Sequence, residues 1–156
     1  MIAQYLRALE EYIDNGGLLD SCVESVNELN GEMKLRIFNS EVGAKNANNE
    51  PIKKPAYSKG YANYRESKGR QTRVVDFEDT GSLRRSMQVQ TGDNLVVIDF
   101  INQDEKRIST FLERRGGSVD YIFSPTENEL QNVYDRILTD LEYIKNEVKN
   151  EVANNR

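Results

Sequence analysis

The chain has no histidine and no tryptophan, and only one cysteine and three prolines, among its 156 residues. Without histidine there is no Ser-His or Cys-His nucleophile pair and no imidazole general base. Zinc sites built from Cys and His are excluded with them. A lone Cys22 closes no internal disulfide, so a reducing compartment is the expectation. No apolar run approaches the roughly 18 residues needed to cross a bilayer. The opening Met1-Ile2-Ala3-Gln4-Tyr5 lacks the basic-then-apolar layout of a secretory leader. Chemistry based on carboxylates or lysine alone survives these exclusions.

What is present describes one polar globular domain over 1–156, with 37% hydrophobic and 30% charged residues. So polar a chain cannot cover itself with one compact core, and an extended helix seeking a partner surface is expected. The net charge of −5 is unevenly spread. Residues 1–52 carry four basic and nine acidic side chains, whereas residues 53–85 carry nine basic and four acidic. An acidic protein with one basic segment is not a general nucleic-acid binder, but the segment is a candidate site for something negative.

Ile2, Tyr5, Leu6, Leu9, Tyr12 and Ile13 recur at helical spacing, and Gly16-Gly17 stops them. A second stripe runs through Leu19, Cys22, Val26, Leu29, Met33 and Ile37, with Gly31 as a point of kinking or close contact. Cys22 reads as a small core residue. The GAKNANN stretch and the prolines after it make 43–60 a loop. Val74, Val75 and Phe77 suggest a short strand, and Asp79 or Thr80 caps a helical turn through Ser86. Met87 to Thr91 and Leu95 to Ile101 form a hairpin about Thr91-Gly92-Asp93-Asn94. A helix over about 104–115 follows, closed by Gly116-Gly117. Val119, Tyr121 and Phe123 alternate as a further strand, and Phe100, Phe111, Tyr121 and Phe123 read as core aromatics. Ser124 as cap, Pro125 and Glu127 then open a long amphipathic helix with Leu130, Val133, Tyr134, Ile137, Leu138, Leu141, Ile144, Val148 and Val152 on one stripe. The expected fold is α+β, a small antiparallel sheet of three or four strands packed on helices.

The basic segment offers Lys53, Lys54, Lys59, Arg65, Lys68, Arg70 and Arg73, interleaved with Tyr57, Tyr61 and Tyr64. Its tyrosines could stack on bases while its cations neutralise phosphates. Equally, the segment could pair with acidic surface on a neighbouring subunit. Asp76, Glu78 and Asp79 supply oxygen ligands for a hard cation but lack the rhythm of a calcium loop, and capping or pairing with Arg84 or Arg85 explains them as well. No Walker-type or dinucleotide-binding loop is present, and no cofactor is expected.

From about Arg36 to Leu141 the order of elements resembles the phage neck, or tail-completion, family of virion morphogenesis proteins. The densest likeness is KGRQTRVVDFEDTGSLRRSM, Lys68 to Met87. It resembles a Gly-Arg pair, an apolar-acidic-apolar stretch, then Thr-Gly, one residue, Leu, two residues and Ser. Here these positions are Gly69, Arg70, Val75, Asp76, Phe77, Thr80, Gly81, Leu83 and Ser86. Hairpin, Phe111-Leu112-Glu113 with Gly116, and Phe123-Ser124-Pro125 follow in the family's order; residues 1–35 fall outside the likeness. The resemblance implies a non-enzymatic structural protein of a tailed double-stranded DNA phage, joining portal or connector to tail as a ring of its own copies. It implies assembly in the host cytoplasm, residence in the virion neck or tail, no membrane contact, and no active site to carry over. In such a ring Lys59, Tyr61, Tyr64, Arg65, Lys68, Arg70 and Arg73 would face either the next subunit's acidic helices or DNA in the channel. The main alternative is a small nucleic-acid-binding module using 53–73, with a carboxylate-dependent metal enzyme as a third reading. The Thr-Gly turn reads as architecture, Leu83 entering the core while Arg84 and Arg85 stay outside.

Overall fold

The computed structural model describes residues 2–52, 57–92, 95–115 and 121–154. Three helices, α1 (Ile2–Asp14), α2 (Gly17–Ile37) and α6 (Glu127–Asn154), pack together. On α2 also lies a hairpin of β1 (Met87–Gly92) and β2 (Leu95–Phe100), flanked by the short α4 (Ser82–Ser86) and by α5 (Gln103–Arg115). A further helix, α3 (Lys59–Ser67), carries the tyrosine-rich segment.

Leu29, Met33 and Ile37 of α2 form the centre of the core, with Phe38, Leu83, Met87, Phe100, Ile122 and Val133 around them. In its first half α2 buries Ser21 and Ser25, on the same four-residue line, and leaves Cys22 and Val26 half-exposed. Small side chains suit that line, because Ser21 donates to Asp140 of α6 at 2.6 Å. Gly16 ends α1 and opens α2 with a left-handed φ of 84°. Any side chain at Gly17 would collide with the ring of Tyr12. Gly31 faces open space, so it marks no close approach.

The expected sheet of three or four strands is not formed: among the described residues it has two, paired antiparallel from Met87↔Phe100 to Gly92↔Leu95. At the end of the expected third strand the alternation inverts, with Ile122 buried and Tyr121 exposed; Val119 lies outside the described residues. The backbone acceptors of that stretch are already taken. Ala47 N–H donates to Tyr121 O at 3.0 Å, and the Arg36 guanidinium donates to Ile122 O at 3.4 Å and Ser124 O at 2.7 Å. The strand expected at Val74–Phe77 is broken by Phe77 itself, whose φ of 51° is left-handed. Phe100 and Phe123 meet edge-on in the core, ring centroids 5.2 Å apart, whereas Phe111 and Tyr121 lie exposed.

The entry to α6 also differs in register from expectation. The reciprocal cap is made by Thr126 and Glu129: Thr126 N–H donates to Glu129 Oε2 at 2.7 Å, and Glu129 N–H donates to Thr126 Oγ1 at 3.1 Å. Ser124 lies two residues too early for that geometry, and its carbonyl is held by Arg36. Arg36 also pairs with Glu129 at 2.9 Å and donates to Lys45 O at 2.7 Å, tying the end of α2, the 43–52 loop and the start of α6 to one guanidinium.

Leu83 enters the core and Gly81 takes a φ of +74°. Leu83→Ala should therefore cost about 2–5 kcal/mol in urea unfolding. Gly81→Val, whose Cβ would sit 2.8 Å from an Arg85 nitrogen, should cost more than about 1 kcal/mol. Ser82→Ala should stay within about 0.5 kcal/mol. A Leu83→Ala protein as stable as the parent yet unable to assemble would make Leu83 an interface contact instead.

Candidate functional site

The segment from Tyr57 to Ser86 is built around two charges withdrawn from water. α3 has no Leu, Ile or Val to bury. It turns Arg65 inward, leaving that residue 1% exposed, beside an equally buried Asp76. Arg65 Nη2 donates to Asp76 Oδ2 at 2.9 Å. Its other nitrogens donate to Gln71 O at 2.9 Å and Glu78 O at 3.0 Å. Its guanidinium carbon lies 4.5 Å from the centre of the Tyr57 ring. Both oxygens of Asp76 are doubly engaged. Oδ2 also accepts from Gln71 Nε2 at 2.5 Å, and Oδ1 accepts from Tyr57 O–H at 2.8 Å and Glu78 N–H at 3.1 Å. The last bond bends the chain across Phe77 and sustains its left-handed backbone.

Around this centre lies a second set of contacts. Gly69, with φ +68°, closes α3, and Arg70 beside it forms an ion pair with Asp79. Glu78 pairs with Arg84 at 3.0 Å, and Arg85 donates to Thr80 O at 3.2 Å. The Thr80 hydroxyl accepts from Ser82 N–H at 3.3 Å, and the buried Ser86 receives Ile101 N–H on its carbonyl. Arg70 and Thr80-Gly81 thus meet beside the Arg65–Asp76 pair, around a depression of about 700 Å³. Asp76, Glu78 and Asp79 each turn to a different arginine. Among the described residues no group of three or more His, Cys, Asp or Glu comes together as a metal site.

Of the seven residues expected at an interface or facing DNA, Lys59, Tyr61, Tyr64, Lys68 and Arg73 are exposed, Arg70 is half-buried, and Arg65 is interior. Tyr61 and Tyr64 stack on one another, centroids 5.8 Å apart, and Lys68 lies 6.0 Å from the Tyr64 ring. Among the described residues no carboxylate forms an ion pair with Lys59, Lys68 or Arg73. Lys53 and Lys54 lie outside the described residues. Sequence reasoning missed the Tyr57–Gln71–Asp76 network. Its available signal was a nine-residue helix without an aliphatic anchor, which must bury something polar. Comparison with protein-family models, curated proteins and solved structures returns no match.

Arg65→Ala should cost about 3–5 kcal/mol, since it strands a buried carboxylate, with Asp76→Asn milder because the amide keeps part of the network. Thermal or urea unfolding of the two variants checks this; a surface role for Arg65 would leave stability unchanged.

Burial foremost, with the bond to the Asp76 carboxylate and its charge, pushes the Tyr57 phenol up from 10.0 to about 12, against lowering by Asp76 N–H and Arg65. The protonated phenol is thus the form the fold favours. Its contribution is complete below pH 10 and is lost as pH rises from there through about 12. Stability measured across that window should fall less steeply for Tyr57→Phe than for the parent.

Proposed function

We propose that the chain is a non-catalytic structural protein of a tailed double-stranded DNA phage, joining head to tail as a ring-forming neck or tail-completion component. The observation that carries this reading is the convergence of Gly69-Arg70 with Thr80-Gly81 on a buried ion pair, whose arginine holds the backbone carbonyls of Gln71 and Glu78. That is how a motif behaves when its work is to present a surface. The surface has two parts: the Lys59, Lys68 and Arg73 cations beside stacked tyrosines, and a set of large apolar side chains exposed on α5 and α6. In a ring the cationic part of one copy meets the acidic helices of the next across a heterologous contact. Portal or connector and tail proteins cover the remaining faces, in a virion assembled in the host cytoplasm. No described helix is long and apolar enough to cross a membrane.

A second reading is favoured by the Tyr61–Tyr64 stack beside Lys59 and Lys68, which form no ion pair among the described residues, a combination that suits single-stranded nucleic acid.

Quantitative proteomics of purified particles should find the protein at a whole-number ratio to the portal protein, and native mass spectrometry should find closed oligomers. Lys68→Glu with Arg73→Glu should abolish those oligomers while the monomer stays folded. Absence from particles would overturn the structural reading. Tight, salt-sensitive binding of single-stranded DNA at physiological salt, lost on Tyr61→Ala, would establish the nucleic-acid module in its place.

A further inference from the structure

We infer that α6 is a self-association surface, through which two copies of the chain pair antiparallel about a two-fold axis with Leu138 of one copy against Leu141 of the other. One side of α6 is covered within the subunit, through Val133, Ile144 and Val148. The adjacent side presents Leu130, Tyr134, Leu138 and Leu141, exposed by 39%, 60%, 60% and 37%. These positions are four, four and three residues apart, so they form one stripe about 16 Å long. Scattered exposed leucines need no explanation, whereas four large apolar side chains in line on one helix mark a contact surface.

The charges beside the stripe choose the occupant. Its N-terminal half is flanked by Glu127 and Asp135 and its C-terminal half by Lys145 and Lys149, all exposed. A helix carrying both signs in this order is complementary to itself when reversed. With Leu138 opposite Leu141, Asp135 of each copy lies beside Lys145 of the other and Gln131 beside Lys149. Glu142 falls at the margin near Leu138 of the second copy. Parallel pairing would instead set Asp135 against Asp135 and Lys145 against Lys145. A two-fold contact of this kind repeats every favourable pair twice. Tyr143 and Glu147 hydrogen-bond to each other on a different face and stay outside it.

The pairing does not rest on the ring reading, and the two fail separately. With the ring contact removed by Lys68→Glu and Arg73→Glu, sedimentation velocity of the full chain over a concentration series should show a monomer–dimer equilibrium, and that protein is the parent for the changes in α6. Leu138→Glu should leave only monomer at concentrations where the parent is dimeric, with the melting temperature of the dilute, monomeric parent because the side chain is exposed. Asp135→Lys or Lys145→Asp alone should raise the dissociation constant about tenfold, as two ion pairs are lost per dimer. The two changes combined should restore it. A parent that stays monomeric, a dimer indifferent to Leu138→Glu, or a charge swap that fails to rescue would each overturn the pairing. A dimer lost on Leu138→Glu would stand even for a protein absent from particles.

Discussion

Burying a guanidinium with a carboxylate is expensive, and the Arg65–Asp76 pair is tolerable only because nearly every remaining donor and acceptor on the two groups has a partner. That requirement organises everything near it. Tyr57 must lie across the guanidinium with its hydroxyl on the carboxylate, and Gln71 must reach back to the same oxygen as Arg65. The chain after Asp76 must turn through a left-handed Phe77 so that Glu78 N–H and its carbonyl can both point inward. Buried ion pairs add little net stability compared with apolar packing. What this one supplies is a single allowed arrangement for some thirty residues that contain few aliphatic side chains. Its consequence at the surface is geometric: with Arg65 drawn in, Tyr61, Tyr64 and Lys68 are left exposed along the adjoining flank of α3.

The longer helices were legible because their apolar periodicity extends over several turns and their ends carry glycine or a reciprocal cap, whereas α3, with no aliphatic stripe, was not. Even there the register slipped where tertiary contacts decide. α2 buries Ser21 and Ser25 instead of Cys22 and Val26, since neighbouring helices press on that line. Thr126 caps α6 in place of Ser124, because the Ser124 carbonyl belongs to Arg36. The hairpin was legible from alternation and a turn. The additional strands were not, because alternation over three or four residues does not say whether the backbone groups between those side chains are free to pair. At Tyr121–Ser124 they are taken by Arg36 and Ala47, and at Phe77 the backbone has the wrong hand.

The site was half legible. Charge counting found the basic segment and the likeness found Gly69-Arg70 and Thr80-Gly81, but neither distinguished an arginine at the surface from one inside. Arg65 and Arg73 carry the same side chain. What separates them is the set of partners around Arg65, which lie six, eleven and thirteen residues along the chain. The pairing of Asp79 with Arg70, where Arg84 or Arg85 was expected, has the same origin: the turn at Phe77 reorders which side chains face one another.

Arg36 and Arg65 are both hubs, yet they close loops of very different size. The hydrogen-bond partners of Arg65 lie six, eleven and thirteen residues away. Arg36 reaches nine residues to Lys45 but 86, 88 and 93 to Ile122, Ser124 and Glu129. Loop-closure entropy makes the first set accessible to a largely unfolded chain and the second only to one already compact. The segment from Tyr57 to Ser86 therefore closes at a smaller entropic cost than the docking of α6, which needs the end of α2 and the 43–52 loop in place before Arg36 can bridge them.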